Sequence, residues 1–223
     1  MYLPTPDALL DADACFPQRS LWAALFFDDD LGSTKQIEWT AEHLQTCRKN
    51  DVNLVWGFDH GLGGTLPRKL ALLHPEYAYL YARYVDQGPH DDTRNAVLGS
   101  ASYAYLYAED VDQGPHDDTR NAVLGSASYA YLYARDVDQG PHDDTRNAVL
   151  GSAHYAYHYA KYVDQGPHDD TRNAVLGSAS YAYYYARDVD QGPHDDTRNA
   201  VLGSAHYGKN LYAKFVDKGL EQS

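Results

Sequence analysis

Cysteine is scarce: Cys15 and Cys47 are the only two in 223 residues. One pair cannot build a disulfide framework or a four-thiolate zinc site, so the expected setting is reduced and cytoplasmic. Long apolar runs are also missing. No stretch approaches the ~20 residues that span a bilayer, and the opening MYLPTPDALLDADAC lacks a basic segment followed by an apolar one, so neither a membrane span nor a signal peptide is expected. Lys and Arg total 18 against 32 Asp and Glu, for a formal charge of −14. That balance argues against direct nucleic-acid binding, which Lys and Arg carry. It favours a protein partner with a basic surface.

Catalytic signatures are absent too. There is no nucleophile elbow, phosphate-binding loop or zinc-protease motif. GLGG at Gly61–Gly64 is too short for a dinucleotide loop, and the carboxylates of Phe27–Leu31 read as an acidic helix end or turn. The sequence therefore points to a non-enzymatic protein with no cofactor.

Tyrosine, by contrast, is abundant, with 21 residues against five Phe and three Trp. Tyr77, Tyr103, Tyr129, Tyr155, Tyr181 and Tyr207 recur at a strict spacing of 26. A fixed period of this length marks a stacked array in which each unit buries its apolar face against its neighbours. A divergent half-unit begins earlier, where PRKLALLHPEYAY from Pro67 matches TRNAVLGSASYAY from Thr93 in layout.

Within one unit, Ser100 is placed to cap a helix A over about 101–112. Gly114 is expected to supply the left-handed residue that ends it, with Pro115 blocking continuation. Helix B starts near Asp117 as its cap, runs through DTRNAVL and stops at Gly125. At about two turns it needs its neighbours to be stable. Tyr103, Ala104, Tyr105, Tyr107, Ala108 and Val111 share an arc of roughly 200° on helix A, which makes the tyrosines core rather than a stacking platform for bases. The fold expected is an all-α solenoid of about six 26-residue helix-turn-helix repeats with a mostly helical N-terminal cap. Its parts are residues 1–65 as cap or head, 66–206 as repeats and 207–223 as a divergent capping repeat.

The copies differ in four columns of helix A. The first reads Glu76, Ser102, Ser128, His154, Ser180, His206, and the second Leu80, Leu106, Leu132, His158, Tyr184. The third reads Arg83, Glu109, Arg135, Lys161, Arg187, and the fourth Tyr84, Asp110, Asp136, Tyr162, Asp188. On a helical wheel they form one face opposite the apolar arc, a candidate partner-binding face. DQGPHDDTRNAVLGSA is meanwhile identical in five copies, polar His116, Asp117, Asp118 and Arg120 included. Either helix B and its loop are locked into contacts between units, or variation on helix A was favoured. Arg120 and its copies are placed to bridge to an Asp of an adjacent unit as an exposed pair contributing ~0–1 kcal/mol. His154 and His158, four apart, have the spacing of a two-imidazole metal site but no third ligand in register.

Before the repeats, SLWAALFFDD has helical spacing, STKQIEWTAEHLQTCRKN reads as a helix with Ser33 and Gln36 as a capping box, and VNLVWGF suits a short strand or a helix. After them, Lys209, Asn210, Lys214 and Lys218 suit a polar end cap.

The run Pro-Glu-Tyr-Ala-Tyr-x-Tyr-Ala-Arg at Pro75–Arg83, followed by Val85, a Gly turn and a short second helix, resembles tandem repeats in uncharacterised proteins of tailed phages and bacteria. The resemblance covers about 66–219 and carries no established activity. The chain departs from that pattern in its Gly-Pro-His-Asp-Asp loop and in the near identity of its copies. It implies a protein-binding role, such as an inhibitor of a host enzyme or defence complex. A self-associating structural module is the alternative.

Overall fold

A computed structural model describes residues 1–204 and 212–217. His206, Tyr207, Lys209, Asn210 and Lys218 lie outside the described residues, as does the side chain of Lys214. The protein is all-α, and its helices pack in successive neighbouring pairs, as in a helical-repeat solenoid. Among the described residues there is no strand, only an isolated antiparallel bridge between Tyr2 and Glu38.

The chain divides into two compact units. The first holds residues 1–99 together with Asp110–Asp112, and the second holds 100–109 and the chain from Gln113 onward. The first copy of the repeat therefore belongs with the N-terminal segment.

In the first unit, α1 (Pro6–Asp11) starts at Thr5, whose hydroxyl accepts from the Ala8 N–H. Then come α2 (Phe16–Phe26), α3 (Ala41–Lys49), α4 (Leu54–Asp59) and α5 (Arg68–Ala71). Trp22, Ala23, Phe27, Leu44 and Cys47 are among its buried residues. Burial pushes the Cys47 thiol up to about 12. The expected capping box at Ser33 and Gln36 is not formed. Ile37 and Trp39 instead pair with the N-terminal strand-like segment, through Leu3 N–H to Ile37 O and Trp39 N–H to Met1 O. The helix thus starts later, with a box made by Thr40 and His43. VNLVWGF is helical, as α4, and the Phe27–Leu31 carboxylates form a turn after α2, with Asp28 and Asp29 left-handed.

The first repeat copy supplies α6 (Pro75–Tyr81) and α7 (Asp91–Val97). In the second unit, helices A are α8 (Ala101–Tyr107), α10 (Ala127–Leu132), α12 (Ala153–Tyr159) and α14 (Ala179–Asp188). Helices B are α9 (Asp117–Val123), α11 (Asp143–Val149), α13 (Asp169–Val175) and α15 (Asp195–Leu202). Each core is assembled from two units, as where Ala104, Tyr105, Ala108 and Val123 meet Tyr133 and Val137.

Three details differ from the sequence reading. Helix A does extend to about 112, but its last turn is π-helical, at Ala108–Asp112 and at the equivalent Ala160–Asp164. The left-handed residue that ends it is Gln113, not Gly114: Gln113, Gln139, Gln165 and Gln191 all have φ of 53–55°. Gly114 precedes Pro115, a position biased toward extended backbone, so the reversal falls one residue earlier. The Gly114 N–H then reaches back to the Ala108 carbonyl at 3.1 Å, one residue farther than in a Schellman closure, because the last turn is π-helical.

The caps differ as well. Ser100, Ser126 and Ser178 make no cap hydrogen bond; each pairs at 3.0 Å with the hydroxyl two residues on, at Ser102, Ser128 and Ser180. Where that residue is His154, Ser152 is released and accepts from the Tyr155 N–H. Helix B is capped by His116 rather than Asp117, its Nδ1 accepting from the Asp118 N–H at 3.2 Å. Asp117 and Asp118 fall in the first turn, where carboxylates complement the helix dipole.

Candidate interaction surface

The invariant polar residues are the mortar between units. The hydroxyl of Tyr133, a fully buried side chain, donates to the carbonyl of His116 in the preceding unit at 3.1 Å and accepts the His116 N–H at 3.0 Å. It also lies 2.9 Å from the buried hydroxyl of Thr119. Tyr159 repeats this set on His142 and Thr145, and Tyr185 repeats it on His168 and Thr171. One tyrosine per unit thus satisfies the backbone at the start of the previous helix B and meets its fixed Thr, while the fixed His caps that helix with its side chain.

Arg120 reaches forward to Asp138 at 2.8 Å and back to Asp117 at 2.8 Å. The same pairs recur as Arg146 with Asp164 and Asp143, and Arg172 with Asp190 and Asp169. In the first unit, Arg68 of the half-unit pairs with Asp86 and Arg94 with Asp112, which makes α5 a truncated helix B. The bridges between units were expected to be exposed. They are not: the Arg120 and Asp138 side chains are 12% and 9% exposed. The guanidinium also lies over the Tyr133 ring, 5.8 Å from its centroid.

The sixteen varied positions of helix A are all accessible. Glu109, Arg135, His154, Tyr162 and Arg187 are exposed, while Ser102, Leu106, Asp110, Ser128, Leu132, Asp136, His158, Lys161, Ser180, Tyr184 and Asp188 are half-buried. They do not act as independent letters. Leu106, Leu132 and Tyr184 lean on the cores beneath them. Asp136 accepts from Tyr105 of the preceding unit at 3.0 Å and from Arg135 at 2.6 Å. Asp188 accepts from Tyr157 at 2.6 Å and from Lys161 and Arg187. In the first unit Asp110 takes the same part for Tyr79 and Arg83.

These contacts set the local acidities. Arg135 holds the Asp136 carboxyl below its usual range, against the opposing effect of burial, and Arg187 does the same for Asp188. Burial, with the hydrogen bonds to Glu109 and Asp136, pushes the Tyr105 phenol up. The third and fourth columns are therefore a paired charge network.

One unit breaks the pattern. With Tyr162 in place of Asp, the ring is 48% exposed and stacks on His158, 5.6 Å between centroids at 12°. His154 meets His158 edge to face at 4.4 Å, and its Nδ1 lies 2.7 Å from the Tyr181 hydroxyl. Burial, with the charges of His154 and Lys161, keeps the His158 imidazole below its ordinary value. With Tyr131, Tyr155 and Arg135 these rings line an open groove of about 620 Å³. No group of three or more His, Cys, Asp or Glu is gathered for a metal among the described residues. Sequence reasoning singled out His154, His158 and Tyr162 but missed Tyr131, Tyr155 and Tyr181, because those three are identical in every full copy and only their neighbours change.

On helix B the carboxylates of Asp117, Asp143, Asp169 and Asp195 stand at the same position of successive units, their side chains 91–92% exposed.

No family model, curated protein or solved structure matches the chain. The arrangement supplies carboxylates at fixed intervals and a helix face with a changing aromatic and charged pattern. No helix among the described residues is long and apolar enough to cross a membrane.

Proposed function

We propose that this protein is a non-enzymatic, cytoplasmic binding solenoid that takes a protein partner with a basic surface. The observation that carries the reading is the row of exposed carboxylates at Asp117, Asp143, Asp169 and Asp195, one per unit. Regularly spaced like charges produce a field that steers a complementary partner and fixes its register. The varied helix A positions, with Tyr162, His154 and Arg187 among the exposed ones, discriminate among partners. The resemblance to phage repeat proteins extends the proposal to an inhibitor of a host enzyme or defence complex, whose basic nucleic-acid channel the acidic surface occupies.

The test is recovery of a partner from a bacterial lysate by three tagged forms. They are the wild type, a variant with the four carboxylates changed to Asn, and a variant with the thirteen helix A positions that are not already Ser changed to Ser. The expected result is a partner lost from both variants and released from the wild type by raised salt. Equal recovery by all three overturns the proposal, and growth of the free protein's mass with concentration would favour self-association instead.

A further inference from the structure

We propose that His154 and His158 form a two-imidazole site for a divalent transition metal of the copper or nickel class. Both stand on α12 at i and i+4, one turn apart on the same face, and both line the open groove beside Tyr162. No other copy carries histidine at both positions.

The rings already stand at chelating separation. An imidazole nitrogen sits about 2.0–2.1 Å from a bound metal, which puts the ring centre about 3.2 Å from it. Two rings at the right angle of a tetragonal or octahedral site are then about 4.5 Å apart, against about 5.2 Å at the tetrahedral angle. The observed separation of centroids is 4.4 Å, which favours Cu²⁺ or Ni²⁺ over Zn²⁺. Nδ1 of His154 is taken up by the Tyr181 hydroxyl of the next unit at 2.7 Å, leaving Nε2 as the free donor. A hydrogen bond on the second nitrogen is the usual support of a metal-binding histidine. His158 has no hydrogen-bond partner among the described residues, and its ring is held by stacking on Tyr162. The nearby cations are already neutralised, Arg135 by Asp136 at 2.6 Å and Lys161 by Asp188 at 3.1 Å. No third His, Cys, Asp or Glu joins the pair among the described residues, so water completes the coordination. Mg²⁺ and Ca²⁺, which take oxygen ligands, are excluded.

The experiment titrates the full-length protein with Cu²⁺ in a buffer containing glycine, which keeps the free ion in solution. Calorimetry reads the affinity and electron paramagnetic resonance the ligands. The expected result is one tight Cu²⁺ per chain with a tetragonal signal split by two imidazole nitrogens, weaker binding of Ni²⁺ and Zn²⁺, and none of Mg²⁺. His154→Ser and His158→Leu match the preceding copy, which has Ser128 and Leu132 at these positions, so both variants should fold. Each should lose Cu²⁺ affinity at least about tenfold, because a single imidazole forfeits the chelate. Full affinity in either folded variant, or a wild-type affinity no higher than that of the double variant, overturns the proposal. No partner protein takes part in the measurement, so its result is separate from the protein-binding reading.

Discussion

The hydroxyl of Tyr133 lies 2.9 Å from that of Thr119, both out of reach of water and fourteen residues apart in adjoining units. Between them they close the polar groups at the start of helix α9, so the third tyrosine of each unit is a joint and not merely filling.

Removing that hydroxyl leaves the His116 N–H short of a partner, while Thr119 keeps its bond to the His116 carbonyl. Tyr133→Phe is expected to lower the free energy of unfolding by about 1–3 kcal/mol, measured by urea denaturation. Tyr129→Phe, at a half-buried ring, should cost no more than about 0.5 kcal/mol. Equal losses would remove the special role of the third tyrosine.

The two carboxylates that share Arg146 are unequal. Asp164 is 8% exposed and Asp143 91%. Removing Asp164 leaves the largely covered Arg146 guanidinium with the exposed Asp143 alone, so Asp164→Ala should cost about 1.5–3 kcal/mol. Asp143→Ala should cost at most about 1 kcal/mol. Thermal and denaturant melts of the two variants provide the comparison.

Gln139 occupies the left-handed region at φ 54°, a conformation that costs a residue with a Cβ about 1–2 kcal/mol. Gln139→Gly should raise the unfolding free energy by roughly 1 kcal/mol, the gain being reduced by the greater freedom of glycine in the unfolded chain. A Tm that falls would contradict the geometry.

Acid should weaken the array. Arg135 lowers the pKa of Asp136 and Arg187 that of Asp188. A carboxyl with a lowered folded-state pKa contributes stability that is complete above its unfolded value, about 4, and is lost as the pH falls through the lower folded value. Unfolding free energy should therefore decline below about pH 4. The combined change of Asp136 and Asp188 to Asn should flatten that slope. Urea titrations from pH 7 to pH 2 measure both.

The period of 26, the two helices per unit and the buried tyrosines were legible from spacing alone, because core positions repeat with the helical turn. The chemistry of the joints was not. Gly114 carries the usual signal for a left-handed cap, but the following proline moves the reversal to Gln113. Ser100 carries the usual signal for a helix cap, but Ser102 captures its hydroxyl, a competition visible only in three dimensions. Arg120 looked like a surface partner because charge rarely enters a core, yet the ring of Tyr133 and the carboxylate of Asp138 enclose it. For the candidate face, the sequence located the varied positions, but not that Asp136 and Asp188 are tied to the tyrosines of the unit before.

Apart from the last, onto Tyr212 and Asp217, where each separation is one residue longer, the joints built from invariant residues run from one unit to the next at constant chain separation, 14 or 17 residues for the tyrosine and 18 for the arginine. No such joint depends on which copy it belongs to. A chain that lost or gained 26 residues at any point in the identical stretch would therefore close every one of them unchanged. Length is thus an adjustable property of this protein, and the span it presents to a partner can be altered in whole steps without redesigning any side chain.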